Sequence, residues 1–347
     1  MRRFRRRALA TAGLVALAAM SLPKAEAHHV PSGPDYQATE KDFAVEHFSA
    51  NSINVTNKFL PIPPGTTFTL TGTVGASAHE VVFTVTEVTK VINGVRTQVL
   101  WDRDFNEGEL LEEELAFWAQ DDFGNVWLLG EYPEEHEDGT VSAPSTWLAG
   151  NQDAKAGILM RANPKANTSQ YKQGEAPAVE FLDVAKVFAV NQSTCVPTGC
   201  YDGVLVIDEH DPNNQPEDGH QFKYHAPDVG IIQVAAKGGD SPETLVATEH
   251  RPLTTEELAE ANLRALELDR QAYTMVPETY ENTEAAVLRC EIPAPGAPPV
   301  IGPAPPRPPS APATCPGVPT PPTEVPPGEP PVGRAQRSRA TGEARKR

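Results

Sequence analysis

From residue 79 to 105 apolar and polar positions alternate in two runs, HEVVFTVTEVTKVI and VRTQVLWDRDF, on either side of Asn93-Gly94. A period of two puts successive side chains on opposite faces of a strand, and Asn-Gly supplies the positive φ angles of a two-residue hairpin. That turn predicts Ile92 opposite Val95, Val88 opposite Val99, Thr86 opposite Trp101 and Val82 opposite Phe105. The shared face is β-branched and aromatic, as a core-facing surface requires. A second pair follows. Leu111, Leu115, Phe117 and Ala119 alternate with Glu112, Glu114 and Trp118, residues 121–125 turn, and 126–132 return. Runs at 180–190, 204–208, 221–224 and 231–235 have strand composition, and Asp138-Gly139 and Asp218-Gly219 mark further turns. Short strands with regular turns predict a mainly β fold: an antiparallel curved sheet, half-barrel, barrel or sandwich.

One helix interrupts the pattern. In LTTEELAEANLRALELDRQAY, Thr254 and Glu257 form a capping box and Leu253 staples to Leu258, with Leu258, Ala261, Ala265 and Leu268 along one stripe. Residues 292–333 hold 18 of the 35 prolines, too little apolar surface to offset the entropy of ordering. The first 27 residues show a basic start, an apolar run and Ala25-Glu26-Ala27, the form of an export signal. Its arginine pairs leave general secretion and twin-arginine export open. The expected plan is a signal peptide at 1–27, a flexible arm at 28–42, a β domain at 43–250 and a helical extension at 251–290. A Pro-rich linker at 291–333 and a basic tail at 334–347 complete it, and the tails are expected to be disordered. The residue directly after the cleavage site is His28 rather than cysteine, and no later apolar run is long enough to span a bilayer, so neither a lipid anchor nor a transmembrane segment is expected.

Charge narrows the partners. Each basic end carries six bases and one acid, leaving 17 bases against 45 acids, near −28, in the body between them. A surface that acidic repels phosphate backbones, so nucleic acid is not an expected partner, whereas the basic tail suits anionic surfaces.

The densest chemistry lies in CVPTGCYDGVLVIDEHDPNNQPEDGHQFKYH, residues 195–225. Cys195, Cys200, His220 and His225 approach a zinc spacing, but exported thiols pair, and the two histidines would point to opposite faces of a strand. Val196-Pro197-Thr198-Gly199 is a β-turn that sets Cys195 opposite Cys200, so a disulfide is expected. A second, Cys290 with Cys315, is expected because both lie by the flexible segment. Asp208, Asp211, Glu217 and Asp218 are the candidate metal oxygens, without the glycine or terminal Glu of an EF-hand. His28-His29, if made N-terminal by cleavage, suits copper through amine and ring. Gly75-Ala76-Ser77-Ala78-His79 is not a nucleophile elbow, and no phosphate loop or dinucleotide fingerprint is found. No cofactor and no enzyme activity are therefore expected.

Four segments, FSANSINVTNKFLPIPPGTTFTL at 48–70, residues 119–127, TWLAG with AKAGILMRANP after it, and YHAPDVGIIQV at 224–234, resemble an uncharacterised family of exported bacterial β-rich proteins. The resemblance spans about residues 43–237 and implies an exported β domain, with no activity attached. Leu148 stands where that family has Glu, and Leu128-Leu129 replace an aromatic pair. The expected function is an exported, secreted or periplasmic, non-enzymatic domain that binds an apolar ligand or envelope polymer through Trp101, Phe117, Trp127 and Trp147. Tethering through the Pro-rich spacer and basic tail is the second reading, and a metal-assisted hydrolase the third.

Overall fold

A computed structural model describes residues 36–307 and 313–316. The strands are β1 (Thr56–Asn57), β2 (Leu60–Pro61), β3 (Thr66–Val74), β4 (Ser77–Ile92), β5 (Val95–Asn106), β6 (Glu109–Gln120), β7 (Val126–Glu137), β8 (Thr140–Ser142) and β9 (Trp147–Leu148). Then come β10 (Lys155–Met160), β11 (Tyr171–Ala176), β12 (Phe181–Val196), β13 (Gly199–His210), β14 (His220–Ala226), β15 (Gly230–Lys237), β16 (Glu243–Pro252) and β17 (Val287–Leu288). The helices are α1 (Thr255–Met275) and α2 (Pro277–Tyr280). From β3 to β7 and from β10 to β16 each strand pairs antiparallel with the next. β16 returns to β3, and β7 pairs in turn with β8, β9 and β10 along its second edge. The expected curved sheet is thus a closed twelve-strand barrel. Closure leaves its principal strands no open edge.

The hairpin at Asn93-Gly94 forms with both residues at positive φ and Ile92 opposite Val95. Beyond it the register corrects the expected pairing. Thr84, not Thr86, faces Trp101; Glu80, not Val82, faces Phe105; and Val88 and Val99 fall inside an irregularity between Val85 and Thr89. Residues 86–88 of β4 there stand against Val99 alone, a bulge of two extra residues. Distant polar groups satisfy it. Gln98 Nε2 donates to the carbonyls of Thr86 at 2.7 Å and Val88 at 3.3 Å, and Asn262 Oδ1 on α1 accepts from Glu87 N at 2.7 Å.

The two faces of the wall are also the reverse of the simplest expectation. The apolar face of β5–β7 turns outward, where Trp101, Leu115 and Tyr132 are cross-strand neighbours beneath α1 and α2. Its partner face, with Glu112, Glu114 and Trp118, lines the interior. The apolar core therefore lies largely between the barrel wall and its outer coat.

Helix α1 starts as its sequence predicts: Thr254 Oγ1 accepts from Glu257 N, and a Glu257 carboxylate oxygen accepts from Thr254 N at 2.7 Å. Leu258, Ala261, Ala265 and Leu268 are buried. Two polar residues share that stripe. Asn262 holds the bulge, and Asp269 pairs at 2.8 Å with Lys90, which is wholly buried, donates to Glu284 O and lies over the Tyr280 ring.

Both ends of the described chain dock on the barrel. Arg161, itself buried, donates to Ala38 O, so the expected arm is held from about residue 36. Both expected disulfides are present, with Cα separations of 4.0 Å for Cys195–Cys200 and 5.5 Å for Cys290–Cys315. The second draws the start of the expected linker onto α1, where Asn262 donates to Ala313 O and Cys315 N donates to Glu87. The signal, His28-His29, residues 317–333 and the basic tail lie outside the described residues.

Removing one member of a buried ion pair strands the other charge. Asp269→Ala should lower unfolding free energy by roughly 3–5 kcal/mol, and the double change Lys90→Met with Asp269→Leu should recover most of it. Urea unfolding of the three chains decides the point.

Candidate functional site

The interior is floored by apolar side chains. Leu60 and Ile62, from the segment that crosses the barrel base, meet Phe68, Phe83, Leu100, Trp118, Leu159 and Ile231 around a cavity of about 110 Å³. Strands from nearly the whole ring contribute, because inward positions recur every second residue. On one wall Gln173, Glu209, Lys223 and His225 enter the same space. Lys223 Nζ lies 2.6 Å from Glu209 Oε2, and Gln173 Nε2 donates to Glu209 Oε1 at 2.9 Å.

Toward the other end the lumen becomes acidic. Asp102 faces Glu114 and Asp104 faces Glu112 across β5 and β6, while Glu131 on β7 pairs with Ala116. Like charges directly opposite repel, and removal from water penalises the ionised form further. Burial, then the neighbouring carboxylates, push Asp102 and Glu114 well above the ordinary range; burial lifts Glu131 as well. Burial raises Glu112 to about 7 and Asp104 to about 6. Asp183 on β12 rises to about 7, through burial and then Glu209. His79 stands at the rim of this wall, its Nε2 3.1 Å from Glu243 and its Nδ1 2.6 Å from Asn106 Oδ1. Lys223 is the one lysine or arginine among the described residues that line either the floor cavity or the mouth.

The mouth itself is a cavity of about 620 Å³ between β12 and the loops 211–219 and 238–242, with Asp183, Glu209, His210, His220 and Glu243 on its walls. Its size is that of a small-molecule site, whereas the floor admits one small group.

The aromatic candidates do not converge. Trp101 lies outside the barrel, donating to Glu113 beneath α1 and stacked by Arg103. Phe117 is fully buried opposite Val99 on the same outer face. Trp127 donates to Asp121 and packs edge-on against Phe43 and Phe48. A register shift on β7, where Gly130 meets Trp147 O and leaves no space for a Cβ, reverses the alternation and sends Trp127 outward. Trp147 donates to Glu131 at 2.9 Å and stacks on Phe181, beside the lumen wall. Leu148 is buried opposite Gly130 of β7.

Of the metal candidates, Asp208 stays apart from Asp211, Glu217 and Asp218 and instead meets His210 and His220. Asp211 caps Asn213 N within its own loop, and Glu217 and Asp218 line the mouth. His225 turns inward and contacts Phe59 O, and burial lowers it to about 4. The residues that sequence reading passed over are Asp102, Glu131, Lys223 and the His210 partner. A signal for the acidic wall was present: Glu112 and Glu114 share one parity with Trp118, an aromatic among acids on a single strand face.

No protein-family model matches the chain, and no curated protein does. Two solved structures share some of its form. One is a protein of Parabacteroides distasonis described as a lipoprotein, 15% identical, with a TM-score of 0.35. The other is a protein of Bacteroides fragilis described as exported with a YmcC-like fold, 12% identical, with a TM-score of 0.33. Each covers 56% of this chain and 99% of its own. Likenesses this distant assign no role.

The raised carboxyls fix the pH dependence of stability. In Asp102, Asp104, Glu112, Glu114, Glu131 and Asp183 the folded chain holds protons that the unfolded chain releases near pH 4. Their stabilisation is complete below about pH 4; for Asp104, Glu112 and Asp183 it is lost as pH rises through the folded values of about 6 to 7, and for Asp102, Glu114 and Glu131 as pH rises through their own raised values. The lowered histidines His210, His225 and His250 act oppositely over part of this window, but six groups outweigh three. Cation-held Glu113 and Glu257 lose stabilisation only at still lower pH. Melting temperature in chelator-containing buffer should therefore fall from about pH 5 to about pH 8, and Glu112→Gln should flatten the fall by on the order of 1 kcal/mol.

Proposed function

We propose that the chain is an exported, non-enzymatic binding protein whose lumen takes a small amphipathic cation. The apolar end of the ligand would rest on the floor around Trp118 and Phe83, and its positive group would meet the carboxyl wall. The imbalance inside the barrel carries this reading: Asp102, Glu114 and Glu131 are enclosed together, offset only in part by Arg103 beside Asp102 and by Lys223, which is itself paired with Glu209, and Asp102 Oδ1 is buried without a partner. Burying an unpaired carboxylate costs several kcal/mol, which a proton or a bound cation offsets. An apolar tail adds about 0.8 kcal/mol for each methylene buried. Export is supported by the basic, apolar and small-residue leader and by two disulfides.

A polymer ligand fits less well, because the segment holding Leu60 and Ile62 closes the base against a threading chain. Tethering has a specific observation in its favour: the Cys290–Cys315 bridge and the Asn262 contact anchor the root of the proline-rich segment to α1. A tether would then start after residue 316, and it would not compete with binding in the lumen.

Octylammonium and octanoate share one apolar chain and differ in the sign of the head group. In thermal-shift titrations near pH 8, octylammonium should raise the melting temperature saturably and octanoate should not. Glu114→Gln and Glu131→Gln should each weaken octylammonium by roughly tenfold, equivalent to about 1.4 kcal/mol. Equal responses to both probes, or none to either, would remove the cation reading.

A further inference from the structure

We propose that Asp208, His210 and His220 form a site for one divalent transition-metal ion of the zinc class, on the outer rim of the lumen mouth. The site is separate from the lumen wall. Asp208 and His210 lie two apart on β13 and so share a face, and Asp208 pairs across to Phe222, two residues from His220 on β14. That face is opposite to the one carrying Glu209 and Lys223, which point inward.

Three observations point to a ligand. The potential donor atoms of the three side chains all lie within 4.8 Å of one another. Asp208 Oδ1 is the hub, 2.6 Å from His220 Nδ1 and 3.9 Å from His210 Nδ1. His210 Nδ1 is buried and has no hydrogen-bond partner, an arrangement that a protein rarely leaves unfilled. Two donors on one tetrahedral ion, each about 2.1 Å from it, sit about 3.4 Å apart, so side-chain rotations of a few tenths of an ångström to an ångström assemble the set.

Two imidazoles and one carboxylate are the donor set of zinc and related ions, and they leave coordination positions toward the mouth cavity. Lys186 Nζ stands 3.3 Å from the other carboxylate oxygen, Oδ2. It orients Asp208 for one-oxygen ligation while its charge opposes tight binding, so the site should be of moderate affinity. A second convergent trio, Glu113, Glu134 and His136, offers a useful contrast, because the Arg264 guanidinium already neutralises Glu113 there.

The test uses the full chain, stripped with a chelator and returned to chelator-free buffer near neutral pH. Calorimetric titration with Zn²⁺ should give one ion per chain, and Co²⁺ should develop a visible d–d band of nitrogen–oxygen ligation. His210→Ala and His220→Ala should each weaken Zn²⁺ by at least about tenfold and alter the Co²⁺ band. A triple variant of the loop carboxylates, Asp211→Asn, Glu217→Gln and Asp218→Asn, should retain both. Metal-free circular dichroism and melting screen each variant for folding, and His220→Gln replaces His220→Ala if the latter fails. Absence of saturable binding, wild-type binding by both histidine variants, or loss in the loop variant alone would overturn the proposal.

Discussion

Everything inside this protein depends on the seam where the last barrel strand returns to the first. β16 pairs with β3 from Glu243 opposite Val74 to Pro252 opposite Thr66, joining residues about 180 positions apart in sequence. The cost of closing so long a loop is repaid only when the whole ladder forms, so the ring is all or nothing in character. At the seam the backbones approach so closely that a Cβ at Gly72 would stand 1.9 Å from Thr244 O. Glycine there serves close approach, not a turn, since its φ is not positive. Without that contact β3 and β16 would be free edges, and the lumen would be an open groove.

Closure also changes what the two faces of each strand must do. In an open sheet one face packs on a core and the other meets water. Here the outward face of β5–β7 takes the apolar burden, through Trp101, Leu115 and Tyr132 against α1 and α2, and so supplies stability from outside the ring. The inward face is released from packing at its upper half, which lets it hold acids that a solid core would exclude. The floor retains Phe68, Phe83 and Leu100 because the crossing segment with Leu60 and Ile62 needs an apolar partner. A graded lumen follows from geometry: apolar where the chain plugs it, acidic where it opens.

Local chemistry was legible in the sequence, and long-range chemistry was not. The Asn93-Gly94 turn, the Thr254 capping box and the Cys195–Cys200 staple each depend on residues within a few positions, and each stands as read. The shifts in register depend on partners far away. Nothing near Thr86 announces that Gln98 and Asn262 will occupy the groups a bulge frees, and nothing near Trp127 announces that Gly130 will reverse its side. Alternation identified both faces of β6 correctly, yet it carries no information on which face is inside. That is decided by ring closure and by α1, both outside any local window. Similarly, Asp208 was noticed for its acidic loop, while its neighbours are a histidine two residues on and another across the strand pair.

On the proposed reading the lumen carboxyls would bind protons and cations in the same place, so the two would compete. Near pH 5 the wall is largely protonated, the repulsion between Asp102 and Glu114 and between Asp104 and Glu112 is relieved, and the folded state is at its most stable without help. As pH rises through 6 to 7, ionisation of Asp104, Glu112 and Asp183 makes the empty barrel increasingly self-repelling, and a bound cation would then do for the fold what the protons did before. Linkage requires the converse: a cation entering in acid must expel protons, and its apparent affinity must rise as pH rises through 6 to 7. A neutral apolar ligand would show no such exchange, since it meets only the floor. The sign of the proton release on binding therefore distinguishes a lumen that selects charge from one that merely buries surface.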